Sequence, residues 1–241
     1  MKIALIGYGK MGKEIESIAI GRGHEIILKV GAQQSKSIST EILRQADAAI
    51  EFSSPECAYS NIMNCFQAGV PVVCGTTGWL HRLEEVKTAC HRSENAFFYA
   101  SNFSIGVNIF FELNLYLAKI MNAYGEYEPL LEEIHHIHKK DSPSGTGITI
   151  AEGIIRELNR KNEWKEGSTH SPSVLAIHSK REGEVPGTHK VIYRSDVDDI
   201  EITHTAHNRK GFALGAVHAA EWIQGKKGTF GMNDMLGFGK Q

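Results

Sequence analysis

The densest run of chemistry-bearing side chains lies between Glu133 and Gly147. It holds Glu133, His135, His136, His138, Lys139, Lys140 and Asp141, followed by Ser142-Pro143-Ser144-Gly145-Thr146-Gly147. Imidazole titrates near neutral pH and is the side chain best suited to moving a proton there. A lysine beside it neutralises an anion or donates a proton. The Pro-Ser-Gly-Thr turn reads as the opening of a helix, whose unpaired N–H groups attract a carboxylate or phosphate. Acid–base chemistry and an anion cradle therefore adjoin in the sequence. A zinc site is the rival reading, since His135 and His138 could share an ion. The adjacent ammonium groups repel a dication, and neither CxxC nor HExxH spacing is present. The expectation is proton chemistry, with no metal.

The remaining residues must present a substrate to this segment. A chain of 241 residues suffices for one large domain or two modest ones, and 26 basic against 28 acidic residues leave a formal charge of −2. No basic block forms the electrostatic footprint of a nucleic-acid partner. Cys57, Cys65, Cys74 and Cys90 form neither a disulfide framework nor a metal pattern, and read as core thiols in a reducing cytoplasm. Ile3-Ala4-Leu5-Ile6 is too short an apolar run for a signal peptide, and no stretch approaches a membrane span. The expectation is a cytoplasmic protein with no membrane partner.

That same short run enters Gly7-Tyr8-Gly9-Lys10-Met11-Gly12, and Met11, Ile15, Ile18 and Ala19 then fall on one helical face. Gly21 and Gly23 close the helix, and Glu25 to Val30 reads as a second strand. Strand, GxGxxG, helix, strand is the context in which this motif binds a dinucleotide. Gly7 permits the tight turn, Gly9 lets backbone approach a pyrophosphate, and Gly12 lets helix pack on strand. Lys10 adds a cation for phosphate. The acid that ordinarily holds the ribose after the second strand is missing: Gly31-Ala32-Gln33-Gln34-Ser35-Lys36 stands there.

Alternation continues with strands at Ala46 to Phe52, Val70 to Cys74 and Ala96 to Tyr99. Ser54 and Pro55 mark a helix start running to about Gln67, and another helix spans about Leu80 to Cys90. Two polar small-residue loops, Gly75 to Gly78 and Ala100 to Ser104, follow strands at the edge where open α/β sheets bind ligands. Beyond residue 104 the pattern changes. A long apolar helix, about Ile105 to Tyr124, leads to a strand at Glu128 to Ile134 and the His/Lys segment. A helix from Ser144 to about Arg160 and a polar loop from Lys161 to Ser171 come next. Strands at Val174 to Ser179, His189 to Arg194 and Asp199 to Thr205 follow without long helices between them. With the strand before His135 they predict a mixed or antiparallel sheet of four strands and a second domain. A last helix, Phe212 to Gln224, is expected to return to the first domain.

At this point the chain resembles the bacterial dihydrodipicolinate (4-hydroxy-tetrahydrodipicolinate) reductases of lysine and diaminopimelate biosynthesis. The resemblance rests on GYGKMG at 7–12, GTTG at 75–78, ASNFSIGVN at 100–108, EEIHHIHKKDSPSGT at 132–146 and ITHTAHNRKGFALGAV at 202–217. The His-His-x-x-Lys-x-Asp-x-Pro-Ser-Gly-Thr pattern is specific to that family, whereas GxGxxG alone is not. The resemblance implies an α/β protein: a Rossmann-type dinucleotide domain at 1–104, completed by 212–241, and an α+β substrate and oligomerisation domain at 105–211. It implies a homotetramer built through the second domain's sheet. NADPH or NADH would be the hydride donor, lined by Gly7, Tyr8, Gly9, Lys10, Met11 and Gly12, by Gly75, Thr76 and Thr77, and by Ala100, Ser101, Asn102 and Phe103.

The resemblance places His135 on the proton donor/acceptor position and Lys139 on the proton-donor lysine. His136, Gly145 and Thr146 fall on positions that bind the substrate, a small cyclic dicarboxylate. Two departures stand out: the missing ribose acid, and Gly147 where the family commonly has alanine. Closure of an interdomain crevice, with Gly106 or Gly211 absorbing the motion, is a further expectation. The alternatives are another nicotinamide oxidoreductase of a small dicarboxylate, a metal-dependent hydrolase using the histidines, and a non-catalytic dinucleotide sensor.

Overall fold

The structure, a computed structural model, describes residues 1–31, 38–208 and 210–238. The chain divides into two units, Met1–Ile105 with Lys210–Gln241, and Gly106–Arg209. In the first unit, β1 (Lys2–Ile6), α1 (Lys10–Gly21), β2 (Glu25–Val30), α2 (Thr40–Leu43), β3 (Ala48–Glu51), α3 (Pro55–Ala68), β4 (Val72–Cys74), α4 (Leu83–Arg92) and β5 (Ala96–Tyr99) alternate strand with helix. A 3-10 turn at Leu80–Arg82 precedes α4. The long helix α5 (Ile105–Met121) leads away. In the second unit follow β6 (Glu128–His135), α6 (Gly145–Glu157), β7 (Glu163–Glu166), β8 (Val174–Arg181), β9 (Gly187–Arg194) and β10 (Asp199–Ala206). The chain then returns through α7 (Lys210–Trp222), β11 (Gly228–Phe230) and α8 (Met232–Leu236).

The first sheet has the order β11-β5-β4-β3-β1-β2 with every pair parallel. Parallel strands need both faces covered, and the all-buried runs of β3 and β4 reflect that. On one face, Ile3, Leu5, Ile50, Val73 and Phe98 pack with α1 and with Ala213, Ala216, Val217 and Ala220 of α7. On the other, Ala4, Ile6, Val72 and Phe97 pack with Ile62 and Cys65 of α3 and Val86 of α4. Each fully buried Ile, Leu or Phe here contributes about 1.5–3 kcal/mol. Met11 and Ile18 are partly buried against the first core, as their spacing predicted. Ser54 stands at the N-cap of α3 in extended conformation, but its side chain bonds none of the first-turn N–H groups.

The second sheet has the order β10-β9-β6-β8-β7. It is mixed: β9 is antiparallel to both β10 and β6, whereas β6/β8 and β8/β7 are parallel. Five strands replace the expected four. The additional strand, β7, lies in the segment that reads as a polar loop, because Glu163-Trp164-Lys165-Glu166 is an edge strand with mostly exposed side chains and no apolar alternation. Leu131, Ile177, Val191 and Tyr193 of this sheet pack with Phe110 and Ala118 of α5 and Ile150 and Ile154 of α6.

Candidate functional site

In the first unit, β1, β3, β4 and β5 are parallel neighbours, so the loops after them lie along one edge of the sheet. Gly7 has φ +102°, and a Cβ there would meet the Phe52 carbonyl oxygen at 1.9 Å. At Gly12 a Cβ would meet the Gly7 carbonyl oxygen at 2.4 Å. Both positions demand glycine for packing alone. Gly9 differs, since nothing lies within 4 Å of the position a Cβ would take. The protein keeps that approach open at the start of α1, where helix N–H groups and dipole favour an anion. A cavity of about 240 Å³ adjoins, lined by Gly7, Tyr8, Gly9, Gly31, Ser53 and Asn61 among others. These residues fit a dinucleotide: an uncovered helix start, room for backbone approach, and a pocket beside it.

The other expected cofactor residues divide by exposure. Lys10, Thr77 and Ser101 are exposed, and Asn102 is half-buried with its side-chain oxygen accepting from the Ser104 N–H at 2.9 Å. Thr76 is buried, and its hydroxyl accepts from the Ser53 N–H at 2.8 Å, tying the loops after β3 and β4 together. A Cβ at Gly75 would strike the Phe52 ring at 2.2 Å. Phe103 is core, packed on Phe52 and Phe98 with ring centroids 5.5 and 5.8 Å away. Met11 likewise gives its side chain to the core. Such positions offer backbone groups to a ligand, not side chains. Of the segment after β2, Gly31 is described, while Ala32, Gln33, Gln34, Ser35 and Lys36 lie outside the described residues.

In the second unit, β6 alternates so that Leu131, Glu133 and His135 share its buried face. His135 is 6% exposed at the strand's end and half-buried His136 follows it. The chain then turns outward: Ile137 and His138 are exposed, with His138 3.3 Å from Glu184. Among the described residues, the group of ligand-type atoms that includes His135 is completed by Glu133 and His189, not by His138. Lys139 turns back, its Nζ 2.7 and 2.6 Å from the two Asp141 oxygens. This pairing holds the Asp141 carboxyl below its ordinary range. Arg181 of β8 donates to the Asp141 carbonyl at 2.7 Å and fixes the turn's backbone.

His135 is shaped by several neighbours. Burial disfavours its imidazolium and lowers its pKa, Glu133 opposes that, Lys139 and Arg181 add to it, and Asp141 opposes it weakly. Its Nε2 faces Gly187, where a Cβ would lie 3.1 Å away. His189 of β9 meets it edge-to-face at a centroid distance of 5.1 Å. Burial and the charges of His135, His204 and Lys139 push the His189 pKa down to about 3, so this ring stays neutral.

The helix that follows carries the residues expected to form an anion cradle. Ser144 caps α6, and its hydroxyl accepts from the Gly147 N–H at 3.0 Å. Gly145 is exposed and Thr146 half-buried, so their N–H groups and the Thr146 hydroxyl are the outward-facing donors of the first turn. Proton-transfer groups and anion donors thus meet in one unit. Sequence reading left three members without a role: Glu133, Arg181 and His189. Strand alternation linking Glu133 to His135 is the one sequence signal that pointed to any of them. Glu133, His135 and His189 place ligand-type atoms within 4.8 Å of one another. Ser144 already engages the Glu133 oxygens, and Arg181 and Lys139 face the group, which opposes a dication.

The protein-family model of dihydrodipicolinate reductase, N-terminus, matches residues 1–103, and that of dihydrodipicolinate reductase, C-terminus, matches residues 106–236. A 4-hydroxy-tetrahydrodipicolinate reductase of Christiangramia forsetii is 48% identical over 236 residues, 98% of each chain. One from Neisseria meningitidis serogroup C is 34% identical over 92% of this chain and 84% of its own. Among solved structures, a dipicolinate-bound dihydrodipicolinate reductase from Paenisporosarcina sp. TG-14 has the same fold, with a TM-score of 0.76, 21% identity, and coverage of 97% of this chain and 98% of that one. Fold, motifs and relatives converge along the whole chain, which belongs to the dihydrodipicolinate reductase family.

Proposed function

We propose that this protein reduces 4-hydroxy-tetrahydrodipicolinate to tetrahydrodipicolinate, using the hydride of NADPH or NADH and one proton and losing the 4-hydroxyl as water, in the biosynthesis of lysine and diaminopimelate. The observation that carries the reading is the juxtaposition of His135 and Lys139 with the open first turn of α6 in a chain of this family. A reduced nicotinamide, when bound, supplies the hydride, and the open Gly9 position and adjoining pocket support a dinucleotide in the first unit.

The chain's own residues do the rest. Gly145 and Thr146 hold one substrate carboxylate through N–H and hydroxyl donors, with His136 beside them. Lys139 presents positive charge where negative charge develops on the reduced ring, which lowers a barrier by a few kcal/mol. His135 relays the proton taken up at C3, an effect worth typically ~10²–10⁴-fold. Asp141 keeps the Lys139 ammonium in place, and Arg181 keeps the turn that carries both.

Acceptance of both coenzymes rests on Gly31, which offers the ribose no carboxylate and a 2′-phosphate no repulsion. The cytoplasm is the compartment of the proposed pathway; among the described residues no helix is long and apolar enough to cross a membrane. The family's homotetramer, assembled through the second unit's sheet, completes the proposal. Freshly generated substrate, mixed with protein and either coenzyme, should give substrate-dependent loss of the reduced-nicotinamide absorbance. Equal absorbance decay with and without substrate, for both coenzymes, would overturn the reading.

A further inference from the structure

Glu133 is a fully buried carboxylate on the core face of β6, two residues before His135. Burying such a group is costly unless its oxygens are bonded. Both oxygens accept from the Ser144 N–H, at 2.9 and 3.1 Å, and one also accepts from the Ser144 hydroxyl at 2.5 Å. Arg181 lies 3.7 Å away, and His135 Nδ1 and His189 Nε2 each 3.8 Å. All three separations are too long for hydrogen bonds; Arg181 acts on the carboxylate by charge, and neutral His189 does not.

Ser144 is thereby saturated. A hydroxyl has one donor and two acceptor positions. It donates to Glu133, accepts from the Gly147 N–H at 3.0 Å, and lies 3.2 Å from His189 Nε2, which supplies the last donor. The count fixes neutral His189 with its proton on Nε2. Space for the carboxylate comes from Gly147, where a Cβ would sit 2.5 Å from Glu133 Oε2. The departure at Gly147 thus has a local reason: this chain seats the Glu133 carboxylate against the first turn of α6.

The consequence is a division of the first-turn donors. Glu133 and Ser144 consume the buried ones, from Ser144 and Gly147. Those of exposed Gly145 and half-buried Thr146 remain for a ligand. We propose that Glu133 is a positioning residue, which sets the Gly145–Thr146 carboxylate cradle through the Ser144 cap and tunes the proton held by His135. This rests on the reductase reading for its substrate, but its electrostatic half stands without it. Around His135 the charged and titratable groups are Glu133 on its own strand, Lys139 and Asp141 on the following turn, Arg181 on β8 and His189 on β9. Of these, Glu133 provides the largest influence favouring the imidazolium.

The test is Glu133→Gln, which keeps shape and an acceptor while removing the charge, with Glu133→Asp as the charge-keeping control. Two measurements are made on the full chain: histidine ring titration by NMR, with His135 assigned through His135→Asn, and the pH profile of kcat/KM for the dicarboxylate. With glutamine, the His135 titration should move to lower pH, and the limb of the profile that it controls should move the same way. The KM for the dicarboxylate should rise about tenfold, the loss expected when a cap donor set is misaligned, while the KM for NADPH stays within about twofold. Aspartate should restore the titration position. An unmoved His135 titration in a folded Glu133→Gln protein would overturn the proposal and leave Glu133 as packing. Should the wild type fail to turn over the dicarboxylate, the reductase reading falls, and the NMR titration still decides the role of Glu133.

Discussion

Glu221 of α7 is joined to the start of the chain by a cluster whose contribution to stability depends on pH. Arg22 grips both its oxygens at 2.8 and 2.9 Å, His24 Nε2 lies 2.7 Å from one, and His218 Nδ1 3.1 Å from the other. Burial works against ionisation of this carboxyl, but the Arg22 and His24 hydrogen bonds and the charges of Arg22 and His218 prevail, holding its pKa down to about 2. Against the ordinary 4.5, that depression corresponds to at most about 3.5 kcal/mol at ~1.4 kcal/mol per unit. Arg22 is 38% exposed, so solvent screening reduces this to about 2 kcal/mol. The folded pKa lies below the unfolded one, so the unfolded chain takes up the proton first as pH falls. The stabilisation is therefore complete above about pH 5 and disappears between roughly pH 4.5 and 2. Urea unfolding of Glu221→Gln would be followed by tryptophan fluorescence in a Trp164→Phe background, leaving Trp79 and Trp222 to report on the first unit. The variant should be about 2 kcal/mol less stable at pH 7, with the gap reduced by more than half at pH 3 and nearly closed by pH 2. An equal loss at all three pH values would refute the charge argument. The effect should reach the proposed cofactor loop, because Gly215 of α7 lies so close to the Phe103 carbonyl that a Cβ would sit 1.7 Å from it.

Three further outcomes bear on the proposed reaction. Lys139→Ala should lower turnover at least ~10²-fold while leaving the NADPH Kd unchanged in a fluorescence titration; His135→Ala should lower it less, since water or His136 can stand in for a relayed proton. Thr146→Val should raise the dicarboxylate KM more than it lowers kcat, by about tenfold or more for a lost donor to a charged group. Steady-state kinetics that leave KM unchanged would remove Thr146 from the cradle. Gly9→Ala should leave Tm within a few degrees, because nothing opposes the added methyl, yet weaken NADPH binding; Gly7→Ala, which collides with the Phe52 carbonyl, should lower Tm sharply. Calorimetry paired with a binding titration separates the two glycines, and intact NADPH affinity in Gly9→Ala would count against that loop as the pyrophosphate site.

Much of the first unit is legible in the residues, because its signals are local. Gly7 to Gly12 between two apolar runs announces strand, turn and helix, and the uninterrupted Val70 to Cys74 run announces a strand covered on both faces. Elements lacking a local signal stayed hidden: four-residue α2, three-residue β11, and edge strand β7, whose place is set by pairing with β8 and not by its own pattern. The site divides along the same line. Its histidines, lysine and cap sit within one short stretch and could be read as a unit. His189 and Arg181 arrive from other strands, and only the β6–β8 and β6–β9 registers bring them to Glu133. Glu133 lies in the quoted motif, but a glutamate in a strand reads as an outward residue until the alternation is traced to the buried face.

The return of α7 and β11 to the first sheet has a consequence for synthesis on the ribosome. Part of the covering for Ile3, Leu5, Ile50 and Phe98 comes from Ala213, Ala216, Val217, Ala220 and Ile223, which are translated only after every residue of the second unit. At ~5–20 residues per second, that leaves the early sheet face waiting roughly 5–20 s for its lid. The unit that comes second in the sequence holds all its own core residues and completes first. Until α7 emerges, the nascent first unit leaves one apolar face of a parallel sheet uncovered, the kind of surface through which incomplete chains associate non-specifically. Codon changes that slow translation between residues 106 and 209 should therefore reduce soluble yield without altering a single side chain of the finished protein.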